Sequence, residues 1–182
     1  LGAMVFNNDG SKSECQQANP NILYRCTDTA NKDGGIVISN IDQSTTHTSE
    51  IVSAINLIKA TSWTPLAEAF YNAVGYYAQN SSLRLNNSDF AISPDCDPIK
   101  GWCQNNNILI ITDGGSTADL NPSVFSFAQS LYPDTDPSSG CDQLKGSTLL
   151  NDLTYYAKTG SNIYPVEQWA ETVNGVRVNT KQ

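Results

Sequence analysis

The sequence predicts a doubly wound, mostly parallel α/β sheet with helices on both faces, on three observations. The first is the run Asn107-Ile108-Leu109-Ile110-Ile111-Thr112-Asp113. Four branched apolar residues in a row read as a central strand buried on both faces. The second is that segments of helical period alternate along the chain with short apolar strands, the order that gives a parallel sheet covered by crossover helices. The third is how the run ends: Thr112-Asp113-Gly114-Gly115 makes a sharp turn carrying a carboxylate. Open α/β sheets place their ligands outside the carboxyl ends of their strands.

Gly2 to Phe6 is a short apolar strand, closed by the turn cluster Asn7-Asn8-Asp9-Gly10. Residues 7–34 are polar and read as a stapled loop insertion, and Gly34-Gly35 opens a second strand at Ile36-Val37-Ile38. From Thr48 the period becomes helical, with Ile51, Ile55 and Ile58 on one face and Ala54 and Leu57 beside them, to near Ala60. The next helix has Thr64 as N-cap, Pro65 as first residue and Leu66, Phe70, Val74 and Tyr77 as buried stripe, and runs to about Gln79. Residues 80–106 form a second polar insertion. After the central strand, Asn121-Pro122 starts a helix through Val124, Phe125, Ala128 and Leu131, stopped by Pro133. Ser147 caps a last helix with Leu149, Leu150, Leu153 and Ala157 inward. Val173-Asn174-Gly175-Val176 is a strong type I′ hairpin signal, while Val176-Arg177-Val178 reads equally as the start of a parallel strand.

With 182 residues and 39% hydrophobic content, the chain suits one domain, 1–182, with a real core. Only 15% of residues are charged, and the polar remainder favours long surface loops on an ordered scaffold. A net charge of −8 leaves nothing to neutralise a polyanion, which argues against nucleic acid. No apolar stretch approaches the length of a membrane span. Leu1-Gly2-Ala3-Met4-Val5-Phe6 looks like the inside of a strand, so the chain reads as a piece of something longer, incomplete at both ends. Five cysteines suit two short bridges, Cys15 to Cys26 and Cys96 to Cys103, and point to an oxidising compartment, with Cys141 left over. Zinc is disfavoured, because His47 is the sole histidine and no C-x-x-C pair occurs.

Thr64 at a helix start and Asp113 at a strand end are hard oxygen ligands on loops that a doubly wound sheet brings to one rim, which suits magnesium or calcium. Met4-Val5-Phe6-Asn7, Thr64-Pro65-Leu66-Ala67-Glu68-Ala69, Trp102-Cys103-Gln104-Asn105 leading to Ile110-Ile111-Thr112-Asp113-Gly114, and Asn151-Asp152-Leu153-Thr154-Tyr155-Tyr156-Ala157 follow one another in order. In this they resemble the von Willebrand factor type A domain of PilY-type type IV pilus tip proteins. The resemblance covers roughly residues 1–158, and the Cys-Gln-Asn run ahead of the Thr-Asp-Gly strand is its most specific part.

The resemblance implies a Rossmann-type fold and a metal-ion-dependent adhesion site, in which three loops hold a divalent cation and an acidic group of the ligand completes its coordination. Thr64 matches the second-loop threonine and Asp113 the third-loop aspartate. The first loop is expected upstream of Leu1, so this chain alone should hold the cation weakly or not at all. Asp42-Gln43-Ser44-Thr45-Thr46 mimics that loop, but falls at the wrong place in the pattern and reads as a solvated turn. Implied partners are pilin subunits or other pilus-tip proteins, the remainder of the parent chain, and a surface or host ligand with an acidic group. The implied location is the cell surface.

Glu68 reads as an exposed first-turn acid favoured by the helix dipole, Asp119 as a turn former and His47 as a surface residue. Trp63 and Trp102 flank the motif loops and suit either a binding rim or the core. Three functions compete: a non-enzymatic adhesion and pilus-biogenesis module, a magnesium-dependent phosphoryl-transfer enzyme using Asp113, and a disulfide-stapled scaffold with a non-functional metal site. The enzyme lacks its partner, since no G-x-x-x-x-G-K-[ST] loop occurs.

Overall fold

The structure is a computed structural model, and it describes residues 1–7, 15–16, 25–26, 34–58, 64–100, 104–112, 115–116, 119, 121–131, 149–159, 169–173 and 176–179. In chain order its elements are β1 (Ala3–Phe6), β2 (Cys15–Gln16), β3 (Arg25–Cys26), β4 (Gly35–Ser39), α1 (His47–Asn56), α2 (Leu66–Ala78), α3 (Pro122–Leu131), α4 (Leu149–Thr159), β5 (Trp169–Val173) and β6 (Val176–Asn179). Single 3-10 turns lie at Ser81–Leu83 and Pro94–Cys96.

The expected doubly wound parallel sheet is not what forms. The described strands make three separate antiparallel pairs, β1 with β4, β2 with β3 and β5 with β6. In the first, Met4 faces Val37 and Phe6 faces Gly35, with an irregularity after Ala3. From β4 the Val37 N–H donates to the Asp89 carbonyl at 2.7 Å, a bond to a loop rather than to a further strand. The predicted central strand joins none of these pairs: Gln104 to Thr112 carries no strand assignment, and Ile108 to Ile111 make no hydrogen bond among the described residues. Four apolar residues in a row encode an extended, adhesive segment but name no neighbour, and burial on both faces requires strands on either side.

The centre is α2. Its sequence is apolar nearly all round, so it is buried nearly all round, as such a helix must be. The β1–β4 pair packs on it from one direction and α3 and α4 from another. Ala67, Phe70, Tyr71 and Val74 meet Val124 and Ala128 of α3, Leu149, Leu153 and Tyr156 of α4, and Leu83 of the following turn in one apolar cluster. A chain of edge-to-face rings, Tyr71 to Phe127 at 5.2 Å and Phe127 to Tyr156 at 5.1 Å, ties the three helices together. The expected inward positions of the last two helices hold, because clean amphipathic period decides them. In α1 only Ile51 of the expected face is buried, while Ile55 and Ile58 remain largely exposed.

The segment 80–100 is more than a polar insertion, because it buries Leu83, Phe90 and Ile99. It closes on α2 at Gly75, where a Cβ would lie 2.7 Å from Leu83 Cβ and 2.9 Å from Phe90 Cζ. The helix stops at Gln79, whose left-handed φ of 49° turns the chain into that segment. Beside it the Tyr76 hydroxyl accepts the Ile41 N–H at 2.9 Å, and burial pushes its pKa up to about 12. No described helix is long and apolar enough to cross a membrane.

Two outcomes follow. Gly75→Ala should lower stability by about 1–3 kcal/mol through overpacking, read as a fall in the thermal midpoint. For Tyr76 the folded state keeps its proton longer than the unfolded one, so stability should fall as pH rises from the ordinary 10 towards about 12. Urea titration across that range should show a shallower loss in Tyr76→Phe.

Candidate functional site

The entrance to α2 is where most of the singled-out residues converge. A helix starts with backbone N–H groups that have no partner inside it, and burial makes leaving them bare costly. Thr64 was expected to cap them; instead Pro65 holds the cap position, and it makes no side-chain cap bond. The cap arrives from far along the chain. Asp119 is buried and its Oδ2 accepts the Ala67 N–H at 3.1 Å while Oδ1 accepts the Glu68 N–H at 3.1 Å. Its negative charge also sits at the positive end of the helix dipole. Asp119 is therefore a helix cap supplied in trans by a loop, not a turn former.

Glu68 corrects the sequence reading most sharply. It is fully buried, with Oε2 accepting the Gly34 N–H at 3.0 Å and Oε1 accepting the Asn121 N–H at 2.8 Å. One carboxylate thus joins the residue before β4 and the residue before α3 to the first turn of α2. One turn on, Asn72 donates from Nδ2 to the Gly35 carbonyl at 2.9 Å and to Asp89 Oδ2 at 2.7 Å. Asp89, also buried, accepts the Asn86 N–H at 2.6 Å and the Leu85 N–H at 3.1 Å on the same oxygen, and Asn7 Nδ2 on the other. Burial pushes its pKa up, opposed by those bonds. Gly34 closes the junction with a left-handed φ of 78°, and a Cβ there would sit 2.4 Å from Asn72 Nδ2.

Sequence reasoning missed Asn72 and Asp89 and misplaced Glu68, yet a signal existed. Leu66-Ala67-Glu68-Ala69-Phe70-Tyr71-Asn72-Ala73-Val74-Gly75-Tyr76-Tyr77-Ala78 carries strongly polar side chains at 68 and 72 alone. Four residues apart on a helix without a polar face, both had to be buried and hydrogen-bonded.

Thr64 lies half-buried immediately before this clamp, next to the buried Pro65. Asp113, Trp63, Trp102, Cys103 and Cys141 fall outside the described residues. Asp42 is exposed before α1, where its Oδ1 accepts the Gln43 and Ser44 N–H groups at 2.6 and 3.3 Å, and the Gln43 bond holds its carboxyl below the ordinary range. Ser44 Oγ lies 3.4 Å from the Thr46 hydroxyl. His47, expected at the surface, is buried with Nε2 on the Leu1 carbonyl. Gln104 ties its own loop down, donating to the Pro98 carbonyl at 2.7 Å and accepting the Lys100 N–H at 3.0 Å. Cys15 stands opposite Cys26 in the β2–β3 register. Cys96 is a free thiol, contacted by Asn40 Nδ2 at 3.7 Å.

No group of three His, Cys, Asp or Glu side chains able to hold a metal occurs among the described residues. The two acids beside Thr64 commit both their oxygens to backbone amides, so the described residues do not by themselves fit a divalent cation. What they build is a rigid socket around the α2 entrance.

Asp119→Ala should orphan two buried N–H groups and cost about 2–4 kcal/mol, with Asp119→Asn recovering only part because one amide oxygen replaces two acceptors. Thermal unfolding of the two variants measures the difference. The chain matches no family model, no curated protein and no solved structure.

Proposed function

We propose that this chain is a non-enzymatic cell-surface binding module of a type IV pilus tip, which engages an acidic ligand through a divalent cation. The support in sequence is the ordered set of motifs from Met4 to Ala157 that includes Thr112-Asp113-Gly114, and the absence of a phosphate-binding loop that an Asp113-based phosphoryl-transfer enzyme would need. The observation that carries the reading is the fixed position of Thr64. It is held half-buried beside a helix entrance that Asp119 and Glu68 have already neutralised.

Because those acids are committed, the charge on a cation has to be met by Asp113, with Thr64 adding a hydroxyl, and two hard donors give weak affinity. The adhesion site proper is then completed by the remainder of the parent chain and by the ligand's own carboxylate. Partners are pilin subunits or other tip proteins, met after passage through an oxidising compartment in which Cys15 bonds to Cys26, whereas Cys96, expected to bridge to Cys103, stands as a free thiol.

Thermal unfolding in magnesium or calcium at about tenfold the dissociation constant should show roughly 1.4 kcal/mol of stabilisation. That corresponds to a rise of about 3–6 °C for a chain of this size. Thr64→Ala and Asp113→Ala should each abolish the rise. A midpoint indifferent to cation even with the parent chain's residues upstream of Leu1 present overturns the cation reading, and nucleotide hydrolysis that Asp113→Asn removes would make the chain an enzyme instead.

A further inference from the structure

Two hydrogen-bond acceptors face the imidazole of His47, while a neutral imidazole carries one proton. The ring is buried at the first residue of α1. Its Nε2 lies on the carbonyl of Leu1, two residues before β1 opens, and its Nδ1 lies 3.7 Å from Glu50 Oε2. A carbonyl and a carboxylate only accept, so a neutral ring that donates from Nε2 turns a bare lone pair towards Glu50. An imidazolium donates to both.

The surroundings are arranged for that charge. Thr46 holds the cap position of α1 without a side-chain cap bond, and its hydroxyl donates instead to Glu50 Oε1 at 2.9 Å, which fixes the carboxylate beside the ring. The Gln43 N–H bond holds the carboxyl of Asp42 low, and the charge of His47 adds to this, so a second carboxylate feels the same ring. Strands β1 and β4 bring no titratable side chain, and among these segments the opposing charge is the amino group of Leu1. Burial and the positive end of the α1 dipole also oppose an imidazolium. The dipole end counts for only about half an elementary charge, whereas Glu50 and Asp42 each bring a whole one. The pair also reaches solvent on its outer side, where Glu50 is 60% exposed.

We propose that His47 is a pH-sensitive latch, which in its protonated state fastens the chain entering β1 to α1 and loosens as the proton leaves. The β1–β4 register is irregular between Ala3 and Met4, so the ladder is least secure at the end the latch holds. Protonation adds a bond only in the latched state. Fastening is therefore strongest at low pH and falls as pH rises.

His47 is the sole histidine, so long-range proton–nitrogen NMR reads its protonation and tautomer without overlap. The neutral ring should carry its proton on Nε2. Hydrogen-exchange protection at the Ala3–Ser39 end of the β1–β4 ladder, corrected for intrinsic exchange, is the second readout. It should fall about two- to fivefold between about pH 5 and 8, the range in which histidine changes charge and the weight of an ion pair with one exposed partner. Glu50→Gln leaves an acceptor for the Thr46 hydroxyl but removes the charge at an exposed position, so the fold should survive and the fall should flatten. His47→Gln keeps a donor for the Leu1 carbonyl and should make protection independent of pH. EDTA should leave the fall unchanged, which separates the latch from the cation site. Equal protection at both ends of the range, a neutral ring protonated on Nδ1, or a fall that Glu50→Gln leaves intact would each overturn the proposal.

Discussion

The fold depends on satisfying the polar backbone at the entrance of a buried helix. An apolar helix surrounded on most sides cannot leave its first N–H groups to water, and each one buried without a partner would cost about 1–3 kcal/mol. Asp119 removes that cost at Ala67 and Glu68. Glu68 then uses its own carboxylate to hold the residues that open β4 and α3. Strand, helix and loop are thus joined by two acids that the chain charge alone would have placed at the surface.

This clamp explains why the molecule tolerates polar groups in its middle. Glu68, Asn72 and Asp89 each replace lost water with several directed bonds, and burying such groups without them would be prohibitive. It also bears on the proposed cation site. A binding module needs its ligand atoms on rigid elements, and Thr64 follows directly from the geometry of the socket.

Legibility in the sequence divided along the range of the information. Helices α3 and α4 were readable because apolar period and the Asn121-Pro122 start are local, and Asn121 Oδ1 does accept the Ser123 N–H at 2.8 Å. At the end of the chain the sequence left a hairpin and a parallel strand equally open, and the structure pairs β5 with β6 antiparallel, Val173 opposite Val176. The sheet order was not readable. Ile108 to Ile111 look alike whether the neighbouring strand exists or not, and it is pairing that turns an apolar run into a central strand. Asp119 was invisible as a cap because its partners lie 52 and 51 residues upstream. Glu68 was misread by applying the rule for an exposed helix to one with no exposed face.

The distant cap has a consequence for how the chain reaches this structure. Helix α2 carries its own stop, the left-handed Gln79, whose N–H closes on the Tyr76 carbonyl at 3.2 Å within the last turn. Its start is borrowed, and borrowing over so long a loop has to wait for the loop to close. The C-terminal half of α2, with the adjoining segment that docks on Gly75, is then the natural nucleus. The first turn and everything tied to it, β4 and α3 included, condense last and come apart first.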